Sequence, residues 1–143
     1  MNIQKYLVFI IVVLGTVLAP NVQADLAIVV NPKSSVTEVS ADEIKRLYIG
    51  KTKLLDSGAR LVPVDHDDGR EIKQEFYGKV VQKPLARLKV HWSRLIFSGR
   101  GRPPEVIGDD AKIKAWVADH ENAIGYIDAD MVDESVRAVL IVK

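Results

Sequence analysis

The sequence of 143 residues contains no cysteine. This absence excludes disulfide bonds, and it also excludes a lipid-modified cysteine as the attachment point of a secreted chain. No zinc-ligand spacing, Ser-His-Asp set or dinucleotide-binding glycine loop occurs in a suitable context. We therefore expect a protein that owes its stability to its hydrophobic core, carries no cofactor and no metal, and is not an enzyme.

An excess of one charge is also missing, since 20 Lys and Arg face 19 Asp and Glu. Such a balance gives no overall attraction to nucleic acid or to an anionic membrane. The charge is nevertheless uneven along the chain, because Lys83–Arg102 contains six basic residues and no acid, whereas Glu105–Glu134 is strongly acidic. This asymmetry suggests a role in binding a partner.

The N-terminus has the pattern of a cleavable secretory signal. Lys5 precedes an uncharged, mostly apolar run from Tyr6 to Leu18, and Val22–Ala24 offers small residues for cleavage before Asp25. An uncleaved anchor is the alternative, but the apolar run is shorter than the roughly 20 residues that span a bilayer. We predict a signal peptide at 1–24, one periplasmic domain at 25–143, and no membrane span after cleavage.

Periodicity predicts alternating strands and helices. Leu26–Val30 indicates a buried strand, and Ser40 with Glu43 has the spacing of a capping box that opens a helix. A second strand is predicted at Leu61–Val64, with Asp68 capping a helix from about Gly69. Further helices are expected from about Pro84 and from Asp109, with strands at Ile124–Ile127 and Val136–Val142. Strands alternating with helices imply an α/β layer structure.

The helix after Pro84 has two distinct faces. One is an apolar stripe that we expect in the core, made of Leu85, Leu88, Trp92, Leu95 and Ile96. Arg87, His91 and Arg94 share another face and are candidates for docking a partner. A charged stripe opposite a core stripe is, however, most often simply solvated.

The turn after the second predicted strand reads Asp65-His66-Asp67-Asp68-Gly69-Arg70. Its carboxylates and imidazole could coordinate a cation or serve an enzyme. Consecutive residues rarely converge on one ion, and acids at the start of a helix are usually caps and dipole partners. A nucleophile with a paired base is not visible here, so the cap interpretation is favoured.

Three units in order resemble the phosphate-binding family of periplasmic solute-binding proteins. They are Val39–Lys51, then Leu61–Arg70 leading into Glu75-Phe76-Tyr77, and finally the helix and strand of Ala115–Ile127. The resemblance covers about Ala27 to Ile127. It implies one lobe of a type II periplasmic-binding-protein fold, with a small mixed sheet flanked by helices.

The family's phosphate lies at the turn after the second strand, where an Arg, hydroxyls and backbone N–H groups contact it. In this sequence Asp65 falls where that Arg is expected, and a cluster of carboxylates would repel an oxyanion. Gly69 and Arg70 remain as anion contacts, Arg70 with a bidentate guanidinium. Asp65 and Tyr126 complete the predicted site, although burial with a hydrogen-bonded hydroxyl would equally explain Tyr126.

The resemblance implies a binding module related to the substrate-binding component of phosphate ABC transporters, with a small anion such as phosphate as ligand. A single lobe offers a shallow half-site, so tight binding would need a second wall, for which a homodimer partner is one candidate. The alternative is a ligand-free envelope protein that keeps the fold and docks an acidic partner through Lys83–Arg102.

Overall fold

The computed structural model describes residues 25–143. The signal peptide predicted at 1–24 lies outside the described residues. Between residues 25 and 143, no helix is both long enough and apolar enough to cross a membrane.

Five strands form one mixed sheet in the order β3-β2-β4-β1-β5. β2 runs parallel to β3 and β4, whereas β1 pairs antiparallel with β4 and β5. The strands are β1 (Leu26–Val30), β2 (Val62–His66), β3 (Glu105–Gly108), β4 (Ala123–Asp128) and β5 (Arg137–Val142). The sequence prediction of a small mixed sheet flanked by helices is confirmed.

Within residues 25–143, four α-helices connect the strands: α1 (Ala41–Tyr48), α2 (Glu71–Phe76), α3 (Leu85–Phe97) and α4 (Asp110–Asp119). α2 continues directly into a π-helical turn at Tyr77–Val81, and a short 3-10 turn at Ala129–Met131 follows β4. The π-helical turn ends at Gln82, whose φ of 57° is left-handed.

Helices lie on both sides of the sheet, and successive side chains of β1 contact them alternately. Leu26, Ile28 and Val30 belong to a hydrophobic cluster shared with α1, α2 and α3. Ala27 and Val29 belong to a second cluster, shared with α4. Because successive side chains of a strand point to opposite faces, one continuous apolar strand supplies both clusters.

The predicted start of α1 is confirmed. The Ser40 hydroxyl accepts a hydrogen bond from the Glu43 amide at 3.2 Å, and the Glu43 carboxylate accepts one from the Ser40 amide at 2.8 Å. These reciprocal bonds satisfy backbone donors that a helix start leaves free. The bond from the Ser40 amide holds the pKa of the Glu43 carboxyl below its ordinary value.

α3 packs through a narrower stripe than the sequence predicts. Leu88 and Trp92 are buried, but Ile96 is 55% exposed, so its assignment to the core is wrong. Each step of four residues rotates a side chain by about 40° around a helix, and by Ile96 the line of side chains has left the core. Trp92 packs tightly on Gly50, where an added Cβ would lie 2.9 Å from the indole.

Two local predictions at β2 and α2 differ from the structure. β2 extends through Asp65 and His66, so both residues lie in the strand and not in the turn. Asp68 does not cap α2, because the N-cap is Arg70 and it makes no side-chain capping bond. The Asp68 carboxylate instead accepts a hydrogen bond from Lys73 at 2.9 Å.

β3 was not predicted from the sequence. It is a short edge strand between Pro104 and Asp109, and its Val106 is half-exposed. A strand that shows little apolar alternation and pairs on one side only gives a weak sequence signal.

Candidate functional site

A buried carboxylate lies at the carboxyl end of β2. The Asp65 residue is only 4% exposed. The neighbouring strand β4 brings Tyr126 to it, and the helical segment that follows β2 brings Lys73 and Tyr77. Three elements that are separate in the sequence therefore meet at one acidic side chain.

Both oxygens of Asp65 are occupied by donors from within the protein. The Tyr77 hydroxyl donates to Oδ2 at 2.6 Å, and the Tyr126 hydroxyl donates to Oδ1 at 2.5 Å. The His66 amide also donates to Oδ1 at 2.9 Å, and Lys73 Nζ lies 3.4 Å from Oδ2. Hydrogen bonds to an ionised acceptor are among the strongest in proteins. The carboxylate thus acts as an internal anion whose donors are already engaged.

Lys73 is the cation of this cluster, and its side chain is only 7% exposed. Its ammonium donates to the Asp68 carboxylate at 2.9 Å and to the His66 carbonyl at 3.0 Å. The bond from Lys73 lowers the pKa of Asp68. A buried charge persists only when it is paired and hydrogen-bonded, which Lys73 achieves by linking the end of β2 to the turn that follows.

Aromatic packing holds the two tyrosines that donate to Asp65. The Phe76 and Tyr126 rings stack with centroids 3.8 Å apart, and Tyr77 meets Phe76 edge-on at 5.2 Å. Tyr48 lies against the same rings and donates to the Val64 carbonyl at 2.8 Å. The hydroxyls therefore have fixed positions, as expected for buried aromatic residues with a polar end.

Burial, followed by the charge of Asp65, raises the pKa of Tyr48, Tyr77 and Tyr126 well above the ordinary tyrosine value. The unfolded chain releases these protons first, at about pH 10. The tyrosines consequently favour the folded state fully below that pH, and this contribution is lost as the pH rises above it.

We therefore expect residues 25–143 to form no tyrosinate near pH 10 while folded. The measurement is tyrosinate absorbance against pH, with circular dichroism recorded in parallel, and ionisation should coincide with unfolding. The same segment in denaturant is the control and should titrate normally. A tyrosine that ionises near pH 10 with an intact dichroism spectrum would contradict the packing described above.

His66 ties β2 to two further elements. Its Nε2 lies 2.6 Å from the Tyr126 carbonyl, and since a carbonyl only accepts, Nε2 carries a proton. Nδ1 is buried without a hydrogen bond and lies 3.4 Å from the Asp110 carboxylate. The other Asp110 oxygen accepts a bond from the Asp128 amide at 3.0 Å. His66 and Asp110 thereby connect β2, β4 and the first turn of α4.

The turn between β2 and α2 carries the outer part of the predicted site. Gly69 has a φ of 82°, a left-handed conformation that favours glycine. The Arg70 side chain is 46% exposed, and its guanidinium lies 3.8 Å from Asp109, the N-cap of α4. The pKa of Asp109 is lowered mainly by the hydrogen bond that its carboxylate accepts from the Lys112 amide, and secondly by the charge of Arg70.

The four predicted ligand residues thus form two groups. Asp65 and Tyr126 are bonded to each other in the interior, whereas Gly69 and Arg70 lie at the surface. Sequence reasoning missed Lys73, because a lysine beside the apolar positions of a helix usually keeps its charge in water, and only the fold brings Asp65 and Asp68 to it. Tyr77 was noted only as part of the family resemblance, without a role at the site.

The structure separates the three docking candidates on α3. Arg87 and Arg94 are exposed. His91 is half-buried, and its Nε2 lies 2.7 Å from the Ile49 carbonyl just after α1. In the part of the chain that the structure describes, no three His, Asp or Glu side chains converge as a metal site.

No protein-family model and no curated protein matches this chain. Solved structures do match. A protein from Clostridium perfringens assigned as a phosphate ABC transporter substrate-binding protein, with bound phosphate, is 27% identical, with a TM-score of 0.64 over 81% of this chain and 45% of that one.

The chain has the fold of one lobe of a phosphate-type solute-binding protein. An ABC-type phosphate transport receptor from Vibrio cholerae matches the lobe at 20% identity and a TM-score of 0.62, over 81% of this chain and 46% of the receptor. PstS from Borrelia burgdorferi matches it at 10% identity and a TM-score of 0.59, over 84% of this chain and 47% of PstS. At these identities the last two show the fold alone.

The lobe spans less than half the length of each of these three structures. The single-lobe architecture predicted from the sequence resemblance is confirmed.

Proposed function

We propose that this lobe is a periplasmic binding module related to the substrate-binding components of phosphate ABC transporters, that it is not an enzyme, and that it binds a small anion such as phosphate. The supporting observation is the exposed guanidinium of Arg70, on the turn that joins β2 to α2. Guanidinium groups match the geometry of phosphate oxygens.

In this proposal Asp65 and Tyr126 position the turn and do not contact the ligand directly. The donors around the Asp65 carboxylate are already engaged with it, and its negative charge opposes entry of an anion. By accepting the His66 amide bond, Asp65 fixes the start of the turn that carries Gly69 and Arg70. The anion is therefore bound at the outer edge of the cluster.

A surface site of this kind buries little of its ligand, so tight binding needs a second wall. A second copy of the lobe or a transporter subunit would supply it. We expect the isolated protein to bind phosphate weakly, and the affinity to rise with protein concentration if the second wall is another copy of the chain.

Arg70→Ala tests the site. We expect phosphate to raise the melting temperature of residues 25–143, because a ligand that binds only the folded state stabilises it. Loss of a charged hydrogen bond of about 1.5–3 kcal/mol should weaken binding in Arg70→Ala by about tenfold or more. The measurement is phosphate titration by calorimetry, with sulfate in parallel.

Arg60→Ala is the matched control, because Arg60 is also exposed and lies at the turn before β2. It should bind phosphate like the unaltered protein. Equal binding by Arg70→Ala would contradict the assigned site. If phosphate does not bind to the unaltered protein, the solute-binding proposal is wrong. The alternative, a protein that docks a partner through Lys83–Arg102, would then be favoured.

A further inference from the structure

The outward side of α3 combines exposed apolar and basic side chains. Phe97 is 97% exposed and Val90 is 53% exposed, although both lie on a well-formed helix. They share an open groove with Lys89, Ser93 and Arg94. Together with Arg87, we call Lys89, Val90, Arg94 and Phe97 the α3 outer face.

Positions along the helix explain this arrangement. Val90 and Phe97 are seven residues apart, almost two complete turns, and so lie along one line of the helix surface. Arg87 and Arg94 are also seven apart and run beside that line. Since Leu88 and Trp92 occupy the inner side of α3, the apolar line and its basic border both point away from the core.

The basic character continues beyond the helix. Arg100 and Arg102 follow in the exposed loop before β3, and the sequence from Lys83 to Arg102 contains no acid. Asp68, from the turn before α2, is an acid whose pKa is lowered mainly by the hydrogen bond from Lys73 and, to a smaller extent, by the charge of Lys89. The balanced charge of the whole chain conceals this local excess.

We infer that the α3 outer face binds reversibly to an anionic lipid surface. The bordering charges complement lipid phosphates, and the apolar line can enter the boundary between headgroups and acyl chains, which is the arrangement of an interfacial amphipathic helix. Phe97 stands clear of its neighbours, so a fluid lipid layer can surround it, whereas a protein partner would need a pocket shaped for it.

The binding strength should be moderate. A basic residue near an anionic bilayer contributes about 1 kcal/mol, a fivefold change in affinity, and this attraction falls with added salt. Partial burial of one phenylalanine adds about tenfold. Such a surface supports reversible association that orients the lobe, with α3 against the membrane.

Vesicle flotation tests this inference. Residues 25–143 contain every described strand and helix, so this segment is mixed with vesicles of phosphatidylglycerol and phosphatidylcholine in equal parts, or of phosphatidylcholine alone. We expect binding to the anionic vesicles only, and loss of binding at high salt. Phe97→Ser should weaken binding about tenfold and Arg94→Ala about fivefold.

Two matched changes at other exposed positions serve as controls. Val106→Ser alters a half-exposed apolar residue on β3, and Arg60→Ala removes a basic residue near β2. Both should bind anionic vesicles like the unaltered protein. All four variants should keep the melting temperature of the unaltered protein. If Phe97→Ser lowers it, the binding of Arg94→Ala and the salt dependence of the unaltered protein test the inference instead.

Absence of binding, equal binding to neutral vesicles, or unchanged binding by both Phe97→Ser and Arg94→Ala would overturn the inference. Binding to polyglutamate without binding to anionic vesicles would also overturn it, and would indicate an acidic protein as the partner of the α3 outer face.

Discussion

Lys73→Met should lower the free energy of unfolding by about 3–5 kcal/mol. Removal of one partner from a buried ion pair leaves the other charge buried without its compensation, and the cost is of this size. Here the remaining charge is Asp65, a 4% exposed residue inside the sheet. Methionine is unbranched and only one heavy atom shorter than lysine, so the loss reports mainly the removed charge and its hydrogen bonds. Urea denaturation provides the measurement.

The double variant Lys73→Met/Asp65→Asn distinguishes a charge effect from a packing effect. Neutralising Asp65 removes the unpaired charge, so the double variant should lose less stability than the sum of the two single changes. Lys114→Met is the surface control, because Lys114 pairs with the half-exposed Asp133 at 2.8 Å. Such pairs contribute about 0–1 kcal/mol. Additive losses at Lys73 and Asp65 would contradict the coupling.

Phe76→Ala is the second large effect, with an expected loss of about 3–5 kcal/mol in the free energy of unfolding. Phe76 is fully buried, and its ring stacks on Tyr126 and meets Tyr48 edge-on at 4.7 Å. The substitution would also remove the ring that stacks on Tyr126, whose hydroxyl donates to Asp65. Thermal and urea unfolding should both show the loss.

Phe97→Ala makes the same chemical change where the ring has almost no contact with the protein, since Phe97 is 97% exposed. Exposed substitutions usually change stability by no more than about 0.5 kcal/mol. A similar loss at both positions would mean that the ring stack around Phe76 does not stabilise the fold as described. A small loss at Phe76 would mean the same.

Local sequence signals predicted the elements of this lobe well. Ser40 and Glu43 indicated the start of α1 because a capping box depends only on residues three positions apart. Leu26–Val30 indicated a buried strand because it is apolar without interruption, and β1 has these bounds. The order of such units along the chain was enough to suggest the single-lobe architecture.

Predictions that depend on neighbours from other elements were less accurate. Ile96 continues the apolar pattern of α3 but lies outside the contact that Leu88 and Trp92 make with the core. Asp68 has the residue type of a helix cap, yet Lys73 reaches it and forms an ion pair. In both cases the packing of another segment determined the outcome.

The sequence by itself determined the starts of α1, α3 and α4, the buried strands and the basic stretch around α3, because each depends on residues close together in the chain. Only the tertiary structure decided where the residues of the candidate site lie and which of them are in contact. Asp65 and Tyr126 are separated by 61 positions, and they meet because β2 and β4 pair in parallel. Their hydrogen bond and the nearby ammonium of Lys73 compensate the charge of Asp65 in the interior, because the fold brings these three side chains together.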